Sequence, residues 1–234
     1  MSQEIYKKFL SGGFEKLNSQ SSGHIINLYR YNYSQYLSQD KKAKILDVGC
    51  GMGHFLQFLA QAGYDDYLGV DISDQSIRYC QEKGIAKVRL INSLSEYLNM
   101  CPMFDLIVLN DVIEHFPKEE ILDILKKIYQ KLNVNGKIII KTGNMSSLAG
   151  LRIRYNDFTH EAGFTEYSLN QVLHYCDFQE INIFPYLYPK NKITRVVRFI
   201  FQKIIHFFWR AMYFFEYTEP PKIVDELICA VARK

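Results

Sequence analysis

Short apolar runs alternate with amphipathic stretches along most of this 234-residue chain. The first five runs lie at 45–48, 67–70, 87–91, 104–110 and 138–140. Between them, apolar residues recur at the three- and four-residue intervals of a helix, for example from 121 to 132. Alternating strands and helices predict an α/β fold with a mostly parallel sheet and helices on both faces. Two later runs, at 178–184 and 227–232, predict strands six and seven.

The sequence K-I-L-D-V-G-C-G-M-G at 44–53 predicts a strand, a glycine-rich turn and a helix in direct succession. Glycine tolerates positive φ and has no Cβ, so the backbone of such a turn can approach a ligand closely. Its amides, with a helix N-terminus behind them, suit an anionic group. Asp71 ends the next strand, 22 positions after Gly49, close to the spacing of about 20 residues at which an acidic residue meets ribose hydroxyls. Together these features predict a ribose-containing ligand.

Four segments, in this order, resemble the motifs of class I S-adenosylmethionine-dependent methyltransferases. They are I-L-D-V-G-C-G-M-G-H-F at 45–55, G-V-D-I-S at 69–73, F-D-L-I-V-L-N at 104–110 and L-N-V-N-G-K-I-I-I at 132–140. The resemblance implies a Rossmann-like, seven-stranded, mostly parallel sheet and S-adenosylmethionine as the cofactor. A nicotinamide dinucleotide is disfavoured, because position 54 is histidine where dinucleotide enzymes usually have a third glycine.

The resemblance also assigns residues to the cofactor site. By their positions in the motifs, these are Asp47, Gly49, Cys50, Gly51, Gly53, Asp71, Ile72, Asn92, Ser93, Leu94 and Asn110. In the resembled family an N-terminal segment often covers the cofactor and the acceptor. Residues 1–40, which are polar with interspersed aromatic side chains, are therefore expected to form a helical lid on a methyltransferase domain at 41–234. The alternative is that this segment only packs on the sheet.

The stretch L-N-D-V-I-E-H-F-P at 109–117 follows the fourth strand, so we expect it at the same sheet edge as the glycine turn. A hydroxyl attacks a methyl group poorly while it is protonated, so a nearby base assists the transfer. His115 is the first candidate for this base, because histidine with an ordinary pKa is largely neutral at pH 7. His160 is the second candidate, and Glu114 completes the predicted catalytic group. The alternative for each histidine is a packed or capping side chain.

A divalent metal is a further hypothesis for the same stretch. Ubiquinone-type and small-RNA 2′-O-methyltransferases have a similar E-x-x-E-H segment followed by a distant histidine, and in them the group binds a metal. The matching residues here are Asp111, Glu114, His115 and His160. The shorter aspartate at 111 departs from the pattern, so the metal remains an alternative to a metal-free base.

The stretch R-Y-N-D-F-T-H-E-A-G-F-T-E-Y-S-L at 154–169 predicts a loop that includes Asp157, His160, Glu161 and Glu166. It resembles the D-x-T-H-x-x-x-F-T segment of methyltransferases that act on cell-envelope saccharides and, more loosely, the H-D-x-x-x-F segment of ubiquinone-type O-methyltransferases. The resemblance implies O-methylation of a lipid-linked saccharide or cell-envelope glycan precursor. A lipophilic phenol or a small metabolite is the alternative acceptor. A non-catalytic S-adenosylmethionine-binding subunit is the alternative from a different class of protein.

Residues 190–217 depart from a minimal methyltransferase domain, because they are rich in phenylalanine and isoleucine. Their polar side chains share one helical stripe, formed by Lys192, Arg195, Gln202, His206 and Arg210. A membrane-spanning helix needs about 20 mainly apolar residues, and basic residues interrupt this segment. The pattern predicts a basic amphipathic helix in a membrane interface, with Trp209 and the phenylalanines submerged. It would form an insertion at 187–222 between strands six and seven; the alternatives are a cover for the sheet or a dimer contact.

Composition limits the partners and the compartment. The net charge of +3 is too small to indicate nucleic acid. The five cysteines are scattered and never spaced C-x-x-C, which suits reduced thiols in a cytosol. The first residues, M-S-Q-E-I-Y-K-K, lack the apolar core of a signal peptide. We therefore expect a cytoplasmic protein that binds peripherally at the inner face of the cell membrane.

Overall fold

The computed structural model describes residues 22–190, 193–217 and 219–234. Seven strands in these ranges form one sheet. They are β1 (Ile45–Val48), β2 (Tyr67–Asp71), β3 (Val88–Leu90), β4 (Phe104–Asn110), β5 (Leu132–Gly143), β6 (Gln179–Pro185) and β7 (Leu227–Arg233). Their order is β3-β2-β1-β4-β5-β7-β6; β7 is antiparallel to β5 and β6, and all other pairs are parallel. The Rossmann-like, mostly parallel sheet predicted from the sequence is confirmed.

Eight α-helices flank these strands within the described ranges. They are α1 (Ser22–Tyr33), α2 (His54–Gln61), α3 (Asp74–Glu82), α4 (Leu94–Met100), α5 (Lys118–Lys131), α6 (Gly150–Asn156), α7 (Glu166–Tyr175) and α8 (Ile193–Tyr217). The sequence pattern does not predict α4 and α6. Each has seven residues, which is too few turns for an apolar spacing to be recognised. The loop expected at 154–169 is therefore shorter, because α6 and α7 occupy both of its ends.

Side chains alternate between the two faces of the sheet and divide the core in two. On β4, Ile107 and Leu109 pack in the same cluster as the apolar residues of α5. Leu106 and Val108 pack on the other face with residues of α1 and α2. Strands buried on both faces consist of continuous apolar runs, which is why the sequence pattern locates them. Because β1, β2 and β4 are parallel, the residues that end or follow them, namely the glycine turn, Asp71 and Asn110, lie at the same carboxyl edge of the sheet.

Helix α1 is the described part of the predicted lid, since residues 1–21 lie outside the described ranges. The Tyr29 ring meets the Phe55 ring of α2 edge-on at a centroid distance of 5.3 Å, and the Tyr33 ring lies 6.0 Å from it. The Tyr33 hydroxyl donates to Asn110 Oδ1 (2.7 Å). Helix α1 therefore packs on α2 and reaches the carboxyl end of β4.

Helix α8 occupies the predicted insertion, and Arg195, Gln202 and His206 of its polar stripe face the domain. Arg210 is exposed, and Lys192 lies outside the described residues. Gln202 donates to Asp225 (3.5 Å), and His206 Nδ1 lies 4.0 Å from the same carboxylate. The Trp209 indole N–H donates to the Ser146 carbonyl (3.0 Å). The expectation that Trp209 lies on the outward apolar face is therefore wrong. A half-buried indole N–H needs an acceptor, and the domain supplies one.

The outward face of α8 is apolar. No residue of this 25-residue helix is buried. Its exposed large apolar side chains are Ile193, Val196, Val197, Ile200, Phe201, Ile204, Ile205, Phe207, Phe208, Met212, Phe214, Phe215 and Tyr217. A continuous exposed apolar face of this kind marks an interaction surface. None of the helices in the described ranges combines the length and apolarity that crossing a membrane requires.

Candidate active site

The turn after β1 needs its glycines for two physical reasons. Gly49, Gly51 and Gly53 have φ values of 65°, 49° and 72°, where a Cβ is strained. A Cβ on Gly49 would also lie 2.6 Å from Val112, and one on Gly53 would lie 2.7 Å from Ile85. Apart from its chain neighbours, no atom of the described residues lies within 4 Å of the corresponding position on Gly51. The centre of the turn is therefore open to a ligand.

Asp71 at the end of β2 braces this turn. Its Oδ2 accepts a hydrogen bond from the Gly51 amide (2.8 Å), and its Oδ1 accepts one from the Ser73 amide (2.8 Å). Burial raises the pKa of Asp71, and the backbone N–H donors oppose part of that shift. Each carboxylate oxygen has a second lone pair. Both oxygens can therefore still accept from ribose hydroxyls, the role that the sequence spacing predicts for Asp71.

A cavity of about 730 Å³ follows the carboxyl edge of the sheet. Its lining includes most of the predicted cofactor residues, namely Asp47, Gly49, Cys50, Gly51, Asp71, Ile72, Ser93, Leu94 and Asn110. Gly53 caps α2 and Asn92 is exposed to solvent, and neither lines the cavity. Small-molecule and cofactor sites are usually between about 300 and 1,000 Å³ in volume. The cavity has the size of a nucleoside-cofactor site.

A buried side chain, Asp47, and a half-buried one, Asn110, lie at the base of this cavity. Asp47 is 2% exposed, and burial together with the Asp71 charge raises the pKa of Asp47 well above its usual range. The nearby Asn110 and Lys141 side chains oppose this shift. Because Asn110 Oδ1 accepts from the Tyr33 hydroxyl, the Asn110 amide is oriented, and its Nδ2 has no hydrogen-bond partner among the described residues. A buried donor without a partner costs about 1–3 kcal/mol, so Nδ2 indicates a ligand contact.

The predicted catalytic residues lie on two loops, one after β4 and one after β5. The Glu114 carbonyl accepts from the Glu161 amide (2.8 Å), and Arg154 donates to the carbonyls of His160 and Glu161. The first of these hydrogen bonds joins the two loops, and the Arg154 bonds fix the second loop to α6. As a result, the His115 and His160 rings lie side by side, with centroids 4.7 Å apart.

Both histidine rings are oriented through Nδ1. Thr159 donates its hydroxyl to Asp157 Oδ1 (2.6 Å), so the Thr159 oxygen accepts from His115 Nδ1 (3.0 Å). His160 Nδ1 lies 2.9 Å from the Ile153 carbonyl oxygen, which can only accept. With the proton on Nδ1, each neutral ring has a lone pair on Nε2. Burial and the neighbouring His160 lower the pKa of His115 to about 4, so this ring is neutral at physiological pH.

Glu114 is buried beside the two rings. One potential ligand atom each from Glu114, His115 and His160 lies within 4.8 Å of the other two. Glu114 Oε2 has no hydrogen-bond partner among the residues that the structure describes. Burial, reinforced by the Asp111 charge, raises the pKa of Glu114 to about 8. The cluster thus places two imidazoles and a carboxyl group together at the end of the cavity, where they can accept a proton or bind a metal.

Asp111 belongs to a different interaction. It has a left-handed φ of 55°, and its Oδ2 lies 2.5 Å from Lys141 Nζ. The four-residue ligand set inferred from the sequence is therefore corrected to three residues. Lys141 is absent from the sequence candidates, because it follows the apolar run of β5 without a motif around it. A charged residue directly after the apolar run at 138–140, at the carboxyl end of the strand, is the signal that identifies it.

Glu166 also has a different place from the one expected. It is the first residue of α7 rather than a loop residue, and its carboxylate accepts from the amides of Lys222 (2.8 Å) and Ile223 (2.7 Å). These bonds fix the segment before β7. Glu166 does not line the cavity.

The raised pKa of Glu114 predicts that the free energy of unfolding of the metal-free chain depends on pH. Its pKa is about 8 in the folded chain and 4.5 in the unfolded chain, so between these values the folded chain holds a proton that the unfolded chain has released. Stability therefore falls as pH rises through this window, by at most about 1.4 kcal/mol per pH unit. Glu114→Gln should remove this slope between pH 6.5 and about 8, measured as Tm in buffer with a chelator.

His115 does not interfere with that measurement. Its pKa is lowered from 6.5 to about 4, so its contribution to stability is lost as pH falls through that lower window. His115 therefore contributes no slope above pH 6.5, and the difference in slope between the wild-type chain and Glu114→Gln reports Glu114. An equal slope in the wild-type chain and in Glu114→Gln would contradict a buried, protonated Glu114.

The fold and the site define a class of protein. A glycine turn after β1, an acidic residue after β2 and a cavity along the carboxyl edge are typical of α/β domains that bind a nucleoside cofactor. Residues 23–182 match a family model described as a methyltransferase domain. Because the match covers more than half of the chain, the chain belongs to this family of methyltransferase domains. The family inferred from the four sequence motifs is confirmed.

Relatives and solved structures agree with this family. The ubiquinone biosynthesis O-methyltransferase of Rickettsia canadensis (strain McKiel) is 30% identical over 130 residues, which are 52% of this chain and 53% of that protein. The chain spans about half the length of the curated relatives it matches. An S-adenosylmethionine-dependent methyltransferase from Archaeoglobus fulgidus has a TM-score of 0.71 at 23% identity, covering 94% of this chain and 98% of that one. The plantazolicin methyltransferase BpumL, in complex with S-adenosylhomocysteine, has a TM-score of 0.63 at 17% identity, covering 100% and 95%.

Proposed function

We propose that this chain is an S-adenosylmethionine-dependent O-methyltransferase that acts at a membrane surface on a hydroxyl of a lipophilic acceptor. The observation that supports it best is the single cavity that extends from the glycine turn and Asp71 to His115 and His160. The cofactor supplies an electrophilic methyl group when bound. The residues of this chain bind the ribose, position the acceptor and take up its proton.

The residues present fit this cofactor. Asp71 keeps lone pairs for ribose hydroxyls, and the backbone of Gly51 faces open space. Asn110 Nδ2 lies beside Asp47 and has no hydrogen bond of normal length within the described residues, so it can donate to an acceptor atom of a ligand. These observations support S-adenosylmethionine in the half of the cavity next to β1 and β2.

A hydroxyl acceptor is supported by the two imidazoles. Because Nδ1 of His115 is a donor to Thr159, its Nε2 is basic and can accept the proton of a hydroxyl during transfer. We propose a phenolic hydroxyl rather than the saccharide hydroxyl expected from the sequence. The Rickettsia relative at 30% identity is named an O-methyltransferase of ubiquinone biosynthesis, and this name does not support a saccharide acceptor.

The same cluster fits a divalent metal as an alternative to a metal-free base. Glu114, His115 and His160 would hold the ion, and each histidine has its Nδ1 fixed by an oxygen, which is usual for metal-binding imidazoles. The unpartnered Glu114 Oε2 supports this assignment. A bound divalent ion would lower the pKa of the acceptor hydroxyl.

Association with a membrane surface is supported by the outward face of α8. That face is apolar along the helix, and Arg198 and Arg210 lie exposed beside its apolar side chains. Lys203 is also exposed, and its ammonium lies 3.9 Å from Asp225 Oδ1 of the domain. An apolar face flanked by basic side chains suits a bilayer with anionic headgroups, in which the helix lies in the plane of the interface.

A second apolar patch supports the same surface. Leu148, Leu151, Tyr155 and Phe158 are exposed on and beside α6, while Ile153 of the same helix lines the cavity. The hydrogen bond from Trp209 to Ser146 places α8 next to this segment. A bilayer on these two surfaces would lie beside the acceptor end of the cavity, and a lipophilic acceptor could enter it from there.

A turnover assay tests the proposed function. S-adenosylhomocysteine release should be faster, by an order of magnitude or more, with 4-dodecylcatechol in vesicles of phosphatidylglycerol and phosphatidylcholine than with dodecyl glucoside in the same vesicles. Dialysis against a chelator, followed by addition of Mn²⁺ or Zn²⁺, separates the two mechanisms. Activity that survives the chelator supports the metal-free base, and activity restored only by the ion supports the metal. Binding of S-adenosylhomocysteine without turnover of any acceptor would overturn the proposal in favour of a non-catalytic subunit.

A further inference from the structure

Lys141 is the one lysine in the cavity lining within the described ranges, and no arginine lines it. Its side chain is 10% exposed. The ammonium lies 2.5 Å from Asp111 Oδ2 and 5.2 Å and 6.0 Å from the ring centroids of Tyr186 and Tyr29. An ammonium has three N–H donors, and the contact with Asp111 uses only part of that capacity. Lys141 therefore presents a cation with further donors inside the cavity.

The other ionisable side chains of the cavity are mostly acidic, so the ammonium of Lys141 differs from them in the sign of its charge. The acidic side chains of the lining are Asp47, Asp71, Asp111, Glu114, Glu120, Asp157 and Glu226. A surplus of carboxylates suits the sulfonium and the ammonium of S-adenosylmethionine. The same cofactor also has one carboxylate, which such a lining would repel. Lys141 is the cation that can offset this repulsion.

Asp47, Asn110 and Lys141 form a diagonal row on one face of the sheet: Asn110 and Lys141 are in register, and Asp47 is in register with Val108, two positions before Asn110. Side chains two positions apart on a strand share a face. Ile45, Val108 and Ile139, two positions before these three residues, all pack in the cluster on the α1 face. Since the strand order is β1-β4-β5, the row consists of a carboxylate, an amide and an ammonium on adjacent strands.

We propose that Lys141 and Asn110 Nδ2 bind the α-carboxylate of the cofactor's methionine moiety, while Asp47 binds its α-ammonium group. Adjacent strands lie about 4.8 Å apart, so an amino-acid group above Asn110 is within reach of both neighbours. The Tyr33 hydroxyl holds Asn110 Oδ1, which directs Nδ2 to the ligand. The assignment rests on the proposed function only in taking S-adenosylmethionine as the cofactor.

The charge state of Lys141 agrees with this role. Burial disfavours the ammonium, but Asp111, Tyr29 and Tyr186 outweigh burial and raise the pKa of Lys141 well above its usual value. The competing explanation is that Lys141 only neutralises Asp111. The Asp111 side chain is 48% exposed, so water already stabilises its carboxylate and the pair adds little to stability. Stability alone therefore does not account for the buried ammonium.

Calorimetry with two ligands tests the assignment. S-adenosylhomocysteine and S-adenosyl-3-thiopropylamine differ only in the α-carboxylate. The wild-type chain should bind the first at least about tenfold more tightly, as expected for charge-assisted hydrogen bonds. Lys141→Met should lose most of this difference, because only Asn110 Nδ2 then binds the carboxylate, and Lys141→Arg should retain more of it. The affinity of each variant for 5′-methylthioadenosine, which lacks the amino-acid moiety, should stay unchanged.

Two further variants complete the experiment. Lys137→Met is the matched control, because Lys137 lies on the same strand and donates to the Tyr36 carbonyl away from the cavity. Lys137→Met should prefer S-adenosylhomocysteine to S-adenosyl-3-thiopropylamine by the same factor as the wild-type chain. Asp111→Asn leaves the ammonium without its counter-ion, so the preference for S-adenosylhomocysteine should increase. This variant tests the assignment even if Lys141→Met does not fold.

The outcomes separate this assignment from the proposed function. Equal binding of the two ligands by the wild-type chain, or undiminished discrimination by Lys141→Met, would overturn it. A chain that distinguishes the two ligands but methylates no acceptor would leave the role of Lys141 intact and refute only the proposed activity. A chain that methylates the catechol without discriminating would refute the assignment alone.

Discussion

His115→Ala should lower the rate of methyl transfer by about 10²–10⁴-fold, the usual contribution of a general base. The His115 ring is neutral at physiological pH and presents a basic Nε2 in the cavity lining, next to His160. Its removal takes away the proton acceptor and, with a metal bound, one of the ligands. The rate is measured as S-adenosylhomocysteine release with 4-dodecylcatechol in vesicles. The Kd for S-adenosylhomocysteine should not change, because His115 lies at the acceptor end of the cavity.

A matched variant is available on α7. His174 is exposed and does not line the cavity, so His174→Ala should retain the wild-type rate. Glu114→Gln distinguishes the two mechanisms. It should be nearly as slow as His115→Ala if the cluster holds a metal, and much faster if His115 acts as a base alone. A His115→Ala chain that keeps a rate close to that of the wild type would show that this cluster does not activate the acceptor.

The sheet and the cofactor half of the site are visible in the sequence because their signals are local. A strand buried on both faces must be a continuous apolar run, so β1, β2 and β4 are recognisable without knowledge of their neighbours. The turn at Gly49–Gly53 combines positive φ with close approach of other side chains, and only glycine satisfies both conditions. Asp71 follows from its spacing to this turn.

The acceptor half depends on contacts between distant segments. Nothing near His115 shows that Thr159 fixes its Nδ1, because the two residues meet only when the loops after β4 and β5 join. Asp111 is next to the catalytic motif in the sequence, yet its carboxylate pairs with Lys141 on the neighbouring strand. Sequence spacing therefore predicts which loops meet but not which side chains pair across them.

For helix α8, too, the sequence predicts the element but not its contacts with the rest of the domain. Its apolar and polar positions define an amphipathic helix, but they do not say which face meets the domain. The Trp209 indole would be assigned to the apolar face by composition alone, and the Ser146 carbonyl places it on the other face. The consequence is that the outward surface is formed by aliphatic residues and phenylalanines, which makes it more apolar than an interface anchored by tryptophan.

Serine replacements at the outward phenylalanines Phe207, Phe208, Phe214 and Phe215 should lower the partition coefficient onto vesicles of phosphatidylglycerol and phosphatidylcholine by at least about 100-fold. Each is exposed in the structure, so the replacement costs no packing in the fold. Burial of one phenylalanine side chain in an apolar phase contributes about 1.5–3 kcal/mol, and even partial insertion of four exceeds a 100-fold effect. Cosedimentation with vesicles measures the partition coefficient. The Tm of the variant should equal that of the wild type.

Removal of the basic side chains of α8 is the matched control for the phenylalanine variant. Replacing Arg198, Lys203 and Arg210 by glutamine should weaken binding to the anionic vesicles, by about 1 kcal/mol for each residue, and should leave weak binding to phosphatidylcholine alone unchanged. The phenylalanine variant should bind more weakly than the wild type to both kinds of vesicle, because insertion of the apolar side chains does not depend on headgroup charge. A different result would identify another partner for α8. The wild-type chain would then bind neither kind of vesicle but would be a dimer in solution, and the serine variant would be a monomer. That result would show that the outward face binds a second copy of this chain and not a bilayer.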